Sequence, residues 1–130
     1  MSVEELLARL DGAGYLADRG LATALFLASE LPQPLLLEGE AGVGKTEAAK
    51  ALARALGTPL LRLQCYEGID AGEALYEWDY PRQLLAIRLA EARGGAEGLD
   101  LFTREYLVAR PVLQAIEHPG PRPAVLLVDE

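Results

Sequence analysis

Residues 39–46 read GEAGVGKT and fill every fixed position of the pattern G-x-x-x-x-G-K-[ST]. The chemistry these types support at this spacing is the holding of a nucleoside triphosphate. Gly42 and Gly44 free the backbone to curl, so that successive N–H groups point inward as a nest for anionic oxygens. Lys45 supplies a mobile cation for the β- and γ-phosphates, and Thr46 supplies a hydroxyl for Mg²⁺. A Gly-rich turn of no special purpose would account for the glycines but not for the Lys-Thr pair. Lys45 is, moreover, one of only two lysines in the chain. Gly39, Glu40, Ala41, Gly42, Val43, Gly44, Lys45 and Thr46 are therefore the candidate phosphate-binding residues. Glu40 occupies a variable position of the motif, of the kind that points away from the phosphates.

A second chemical feature closes the chain, where residues 124–130 read AVLLVDE. A buried parallel strand is nearly continuously apolar, and ligands of open α/β sheets bind beyond the strands' carboxyl ends. Asp129 is placed there to hold Mg²⁺ opposite Thr46, directly or through water. Glu130 is placed to orient and deprotonate an attacking water. The carboxylate pair separates two chemistries on one loop. A hydrolase needs a base for water, whereas a phosphotransferase brings its own nucleophile. A solvated acidic strand end is the bland alternative.

These residues need elements to hold them. The apolar run 35–37 reads as a buried strand entering the loop, and residues 45–56 read as the helix leaving it, stopped at Gly57. That helix aims its positive dipole end at the bound phosphates. Upstream, Ser2 and Glu5 have capping-box spacing, with Val3, Leu6, Leu7 and Leu10 on one apolar face. A second helix is expected from Asp18 to Leu31, with Leu21, Leu25 and Ala28 on one side. Downstream come a strand over 60–65, a short helix capped at Asp70 and running through Trp78, and a helix from Pro81 to Arg93. A loop over 96–99 precedes a broken helical stretch over 100–117, and a stiff Gly-Pro connector leads into the last strand. Strands alternating with helices indicate an α/β fold with a parallel sheet.

Composition bounds the rest. At 130 residues and 51% apolar content the chain can bury one core. A formal net charge of −8 argues against nonspecific binding to nucleic acid or to an acidic membrane surface. It does not oppose nucleotide binding, where backbone amides, Lys45 and Mg²⁺ set the local field. Cys65 is the only cysteine, which suits a reducing compartment and excludes an internal disulfide framework. It reads as a small buried residue. The acidic, amphipathic start is neither a secretory nor a transit peptide, and no apolar run approaches a membrane span. A cytoplasmic location is the expectation. His118 stands alone and makes no metal site. Tyr76, Trp78 and Tyr80 alternate ahead of Pro81, a pattern that suits core packing of large aromatic side chains.

With these motifs in place, the chain resembles the front half of an AAA+ ATPase module, and within that superfamily the MoxR-type proteins of the CoxD-like branch. The match runs through Gly14 and Tyr15, residues 35–46, the stretch 63–85 (LQCYEGIDAGEALYEWDYPRQLL) and residues 125–130. The resemblance implies a P-loop NTPase sheet flanked by helices, with 1–33 a helical segment and 34–130 a partial nucleotide-binding core of one domain. It implies ATP and Mg²⁺ as ligands, residues around Tyr15 against the adenine, and a chaperone-like ATPase that remodels or matures client proteins. It further implies a homo-oligomeric ring and a von Willebrand factor A-domain partner, and in such a ring the lining of the pore is a second reading for Tyr76, Trp78 and Tyr80 beside core packing. A polar sensor strand, an arginine finger and a helical lid would follow Glu130 in such a module, so the chain reads as a fragment of one. Arg104, Arg110 and Arg122 precede the Asp-Glu strand and are not finger candidates. A phosphotransferase, or a nucleotide-binding fragment without turnover, is the competing reading. The fragment alone is expected to expose unpaired strand edges, fold poorly and lack turnover.

Overall fold

The computed structural model describes residues 1–40 and 42–130. Its helices are α1 (Val3–Gly12), α2 (Arg19–Glu30), α3 (Lys45–Leu56), α4 (Ala71–Leu75), α5 (Tyr80–Ala92) and α6 (Pro111–Glu117). Its strands are β1 (Leu60–Gln64), β2 (Tyr76–Trp78), β3 (Leu107–Ala109) and β4 (Val125–Asp129), with a 3₁₀ turn at Arg104–Tyr106.

Caps written in the sequence start most of the helices. The Ser2 hydroxyl accepts from the Glu5 amide while the Glu5 carboxylate accepts from the Ser2 amide, a closed capping box. Asp18 accepts from the Leu21 amide at 2.7 Å, and Asp70 from Glu73 at 2.9 Å. Asp79 caps α5, with Pro81 in its first turn. Arg19 of α2 reaches back to Glu4 of α1 at 2.7 Å, and that hydrogen bond holds the Glu4 carboxyl below its ordinary value. Helix α3 ends at Gly57 with φ 64°, a left-handed stop that glycine adopts without cost.

The core lies between the first three helices. Leu6 and Leu10 of α1, Ala22 and Leu25 of α2, and Ala51 and Leu52 of α3 form one buried cluster. Val125, at the start of β4, packs against it. Leu6 and Leu10 are fully enclosed. Leu10→Ala is therefore expected to lower the unfolding free energy by about 2–5 kcal/mol, read as a lower urea midpoint at unchanged slope.

Strands β1 and β4 pair in parallel, from Leu60 opposite Val125 to Gln64 opposite Asp129. The connection between them is long and contains a second, smaller sheet. There β2 and β3 run antiparallel, Tyr76 opposite Ala109 and Trp78 opposite Leu107. Helix α5 is carried between them and packs on the 3₁₀ turn. Its buried Gln83 donates to the Leu101 carbonyl at 2.6 Å. Leu84, Leu85 and Leu89 of α5 remain substantially exposed.

Three expectations are corrected. Residues 35–37 are extended but form no strand ladder, and Leu36 is 78% exposed rather than buried. Among the described residues no strand lies beside them to pair with, and an apolar run without a partner cannot form a sheet. The short helix expected through Trp78 stops at Leu75, because Tyr76–Trp78 is taken into pairing with β3. The stretch 100–117 is helical only at Arg104–Tyr106 and Pro111–Glu117, with β3 between. Trp78 is half-buried, edge-on to Tyr76 and to Phe102 at ring centroids 5.7 and 5.1 Å apart. Tyr80 is 68% exposed.

Candidate functional site

The loop before α3 has the backbone its glycines require. Gly42 and Gly44 sit at φ 86° and 94°, in the left-handed region that any side chain would strain. A Cβ on Gly39 would lie 2.9 Å from Cγ2 of Val43, so a side chain there would force Val43 to shift. The Glu40 carbonyl accepts from the Val43 amide at 3.4 Å. Ala41 lies outside the described residues.

Lys45, the first residue of α3, folds back across this loop, its Nζ donating to the Gly39 carbonyl at 2.5 Å. Thr46 follows in the first turn, half-buried. Helices α1, α2, α4 and α5 each have a side-chain cap on their first amides, whereas α3, from Gly44, and the short α6, from Arg110 and Pro111, have none. The first amides of a helix have no partner inside it. Those of α3 are thus available to an anion, with the helix dipole behind them.

The acidic end of β4 is held by β1. The Cys65 amide donates to the Asp129 carbonyl at 2.7 Å, and Gln64 Nε2 donates to the Glu130 carbonyl oxygen at 2.6 Å. The Asp129 carboxylate meets Arg62 at 2.5 Å. Asp129 is half-buried and Glu130 exposed. At the other end of the sheet, the Thr58 hydroxyl donates to the Pro123 carbonyl at 2.9 Å, and the Pro59 carbonyl accepts from Val125. These bonds fix the C-terminal end of α3 at the start of β4. Helix α3 packs on both β4 and β1.

Among the described residues no hydrogen bond or ion pair joins the loop directly to Asp129 or Glu130. Tyr15, expected against the adenine, packs its partly buried ring on the core of α1, α2 and α3. Leu16 beside it is 88% exposed. Cys65 is half-buried rather than buried. Arg104 and Arg110 pair with Glu117 and Glu77, as structural cations do. Arg62 and Gln64 were not singled out from the sequence. Their signal was available, since two polar residues alternate with leucines in an otherwise apolar strand and so share one face.

The donor set fits the ligands the motif implies. Thr46 and Asp129 offer hard oxygens of the kind Mg²⁺ takes, and the loop offers amides and one ammonium to phosphate. Residues 34–130 match the family described as AAA domain (dynein-related subfamily). The chain is similar to the ATP-dependent protease ATPase subunit HslU of Rhodopseudomonas palustris strain BisB5, 32% identical over 102 residues. The alignment covers 72% of this chain and 22% of that protein. The HslU of strain TIE-1 gives the same identity and coverage, and that of strain HaA2 is 31% identical. The chain thus spans about a fifth of the length of these relatives, 22%. No solved structure matches it. Among the described residues no helix is long and apolar enough to cross a membrane. With the loop, the parallel pair of strands and the flanking helices of an α/β P-loop NTPase, the chain belongs to the AAA domain family, dynein-related subfamily.

Proposed function

We propose that this chain binds ATP with Mg²⁺ and carries the hydrolytic half-site of a chaperone-type ATPase similar to the MoxR proteins. The observation that carries the reading is the uncapped start of α3, with Lys45 laid over a loop whose Gly42 and Gly44 take the left-handed backbone. In this reading the amides of residues 42–46 cradle the phosphates. Lys45 leaves the Gly39 carbonyl for the β- and γ-oxygens. Mg²⁺, when bound, neutralises charge developing on the phosphates. Thr46 and Asp129 hold it, and Glu130 takes the proton from the attacking water. Residues 1–33 form a helical segment of the same domain as the core 34–130, a view that the shared packing of α1 and α2 with α3 supports. A cytoplasmic homo-oligomeric ring and a von Willebrand factor A-domain partner belong to the same proposal, as does a client protein to be remodelled.

Phosphate release and metal removal test it. The intact protein is expected to release inorganic phosphate from ATP without an added acceptor, and to lose that activity when Mg²⁺ is chelated. Release that appears only with an added acceptor, or that persists in chelator, would refute the hydrolase reading.

A further inference from the structure

Asp129, the proposed Mg²⁺ holder, already has a cation beside it. Arg62 Nη2 lies 2.5 Å from Asp129 Oδ2. The strand register explains why. Arg62 stands opposite Leu127, and Gln64 opposite Asp129. Side chains alternate along a strand, so Arg62 and Asp129 share one face on a diagonal that a long side chain can span.

The contact joins one guanidinium nitrogen to one carboxylate oxygen, without the forked pairing that makes such bonds hard to break. Asp129 keeps 25% side-chain exposure and Arg62 50%. Glu130 follows directly in the chain, so Arg62 sets a positive charge at the acidic end of β4. Arg62 also borders an open groove of about 410 Å³. Glu73 and Glu77 line that groove, bonded there to Tyr66 and Arg110, and its open solvent gives the guanidinium a place to move into.

We propose that Arg62 is a built-in stand-in for the metal, neutralising Asp129 until a Mg²⁺–nucleotide displaces it into the adjoining groove. The inference rests on the reading of Asp129 as a metal-holding residue. Arg62 then sets the Mg²⁺ concentration at which the site fills, because metal and guanidinium compete for one carboxylate. Without Arg62, two uncompensated carboxylates also repel a metal-free triphosphate.

The test titrates Mg²⁺ into the intact protein with a fluorescent ATP analogue as the probe. Arg62→Ala is expected to lower the Mg²⁺ midpoint by roughly two- to five-fold, the size of effect that partly exposed ion pairs show. It should also weaken binding of the analogue in chelator. Arg62→Gln should reproduce both shifts should the alanine variant not fold, and Arg62→Lys should retain the wild-type midpoint. In an Asp129→Asn background, Arg62→Ala should have no effect on the midpoint. The metal-free protein should melt lower in Arg62→Ala, whereas the Mg²⁺–nucleotide complex should melt as wild type does. A midpoint unchanged or raised by both neutral variants, with wild-type nucleotide binding intact, would overturn the stand-in role alone. A wild-type protein that binds no Mg²⁺–nucleotide would overturn the site reading and this inference with it.

Discussion

Replacing Glu130 with glutamine is expected to leave ATP binding intact while lowering turnover by on the order of 10²-fold or more, the contribution of a positioned general base. The substitution keeps the shape of the side chain and removes only its capacity to take a proton. The bond that fixes this residue runs from Gln64 Nε2 to the Glu130 carbonyl oxygen and does not involve the side chain. The backbone position should therefore survive the change. Calorimetry supplies the affinity, and phosphate release under saturating ATP supplies the rate. If Glu130→Gln hydrolyses ATP at the wild-type rate, Glu130 does not activate water and the phosphotransferase reading returns.

Lys45→Ala should act at the earlier step. The ammonium is the only side-chain cation of the loop, and it donates to the Gly39 carbonyl. Its loss removes charge-assisted bonds of about 1.5–3 kcal/mol each, so affinity for ATP should fall by roughly one to two orders of magnitude. Thermal stability should hardly change, because the half-exposed side chain contributes little to the core. Calorimetric titration with ATP decides the matter. Wild-type affinity in this variant would remove the phosphate-binding role from Lys45 and, with it, the meaning given to residues 39–46.

The two halves of the structure were legible to different degrees, for physical reasons. Where a local device makes an element, the sequence sufficed. Helix α3 spans Lys45–Leu56 with its left-handed stop at Gly57, and the caps at Ser2 and Asp70 act as their spacing implies. Where an element exists only through a distant partner, local pattern failed. Tyr76–Trp78 is a strand because Leu107–Ala109 lies beside it. Residues 35–37 have strand composition and no such neighbour among the described residues. The same distinction runs through the site. The glycines, Lys45 and Thr46 announce themselves by spacing, and the Asp-Glu pair by the apolar run before it. Arg62 and Gln64 matter only because β1 is registered on β4, a relation across more than sixty positions that no window on the chain can reveal.

The small antiparallel sheet has an implication for how this chain can vary. Tyr76 and Ala109 face one another at the root of the β2–β3 pair, so everything between them leaves and re-enters the body of the molecule at nearly one point. Helix α4 ends immediately before that root and α6 begins just after it, and the two pack together. Residues 76–109 are in this sense a graft on a continuous α4–α6 stem. Lengthening, shortening or exchanging such a graft changes loop closure only weakly, since its entropy grows with the logarithm of length. Sequence variation can therefore accumulate on α5 while the loop at Gly39, the α3 core and the β1–β4 pair stay as they are.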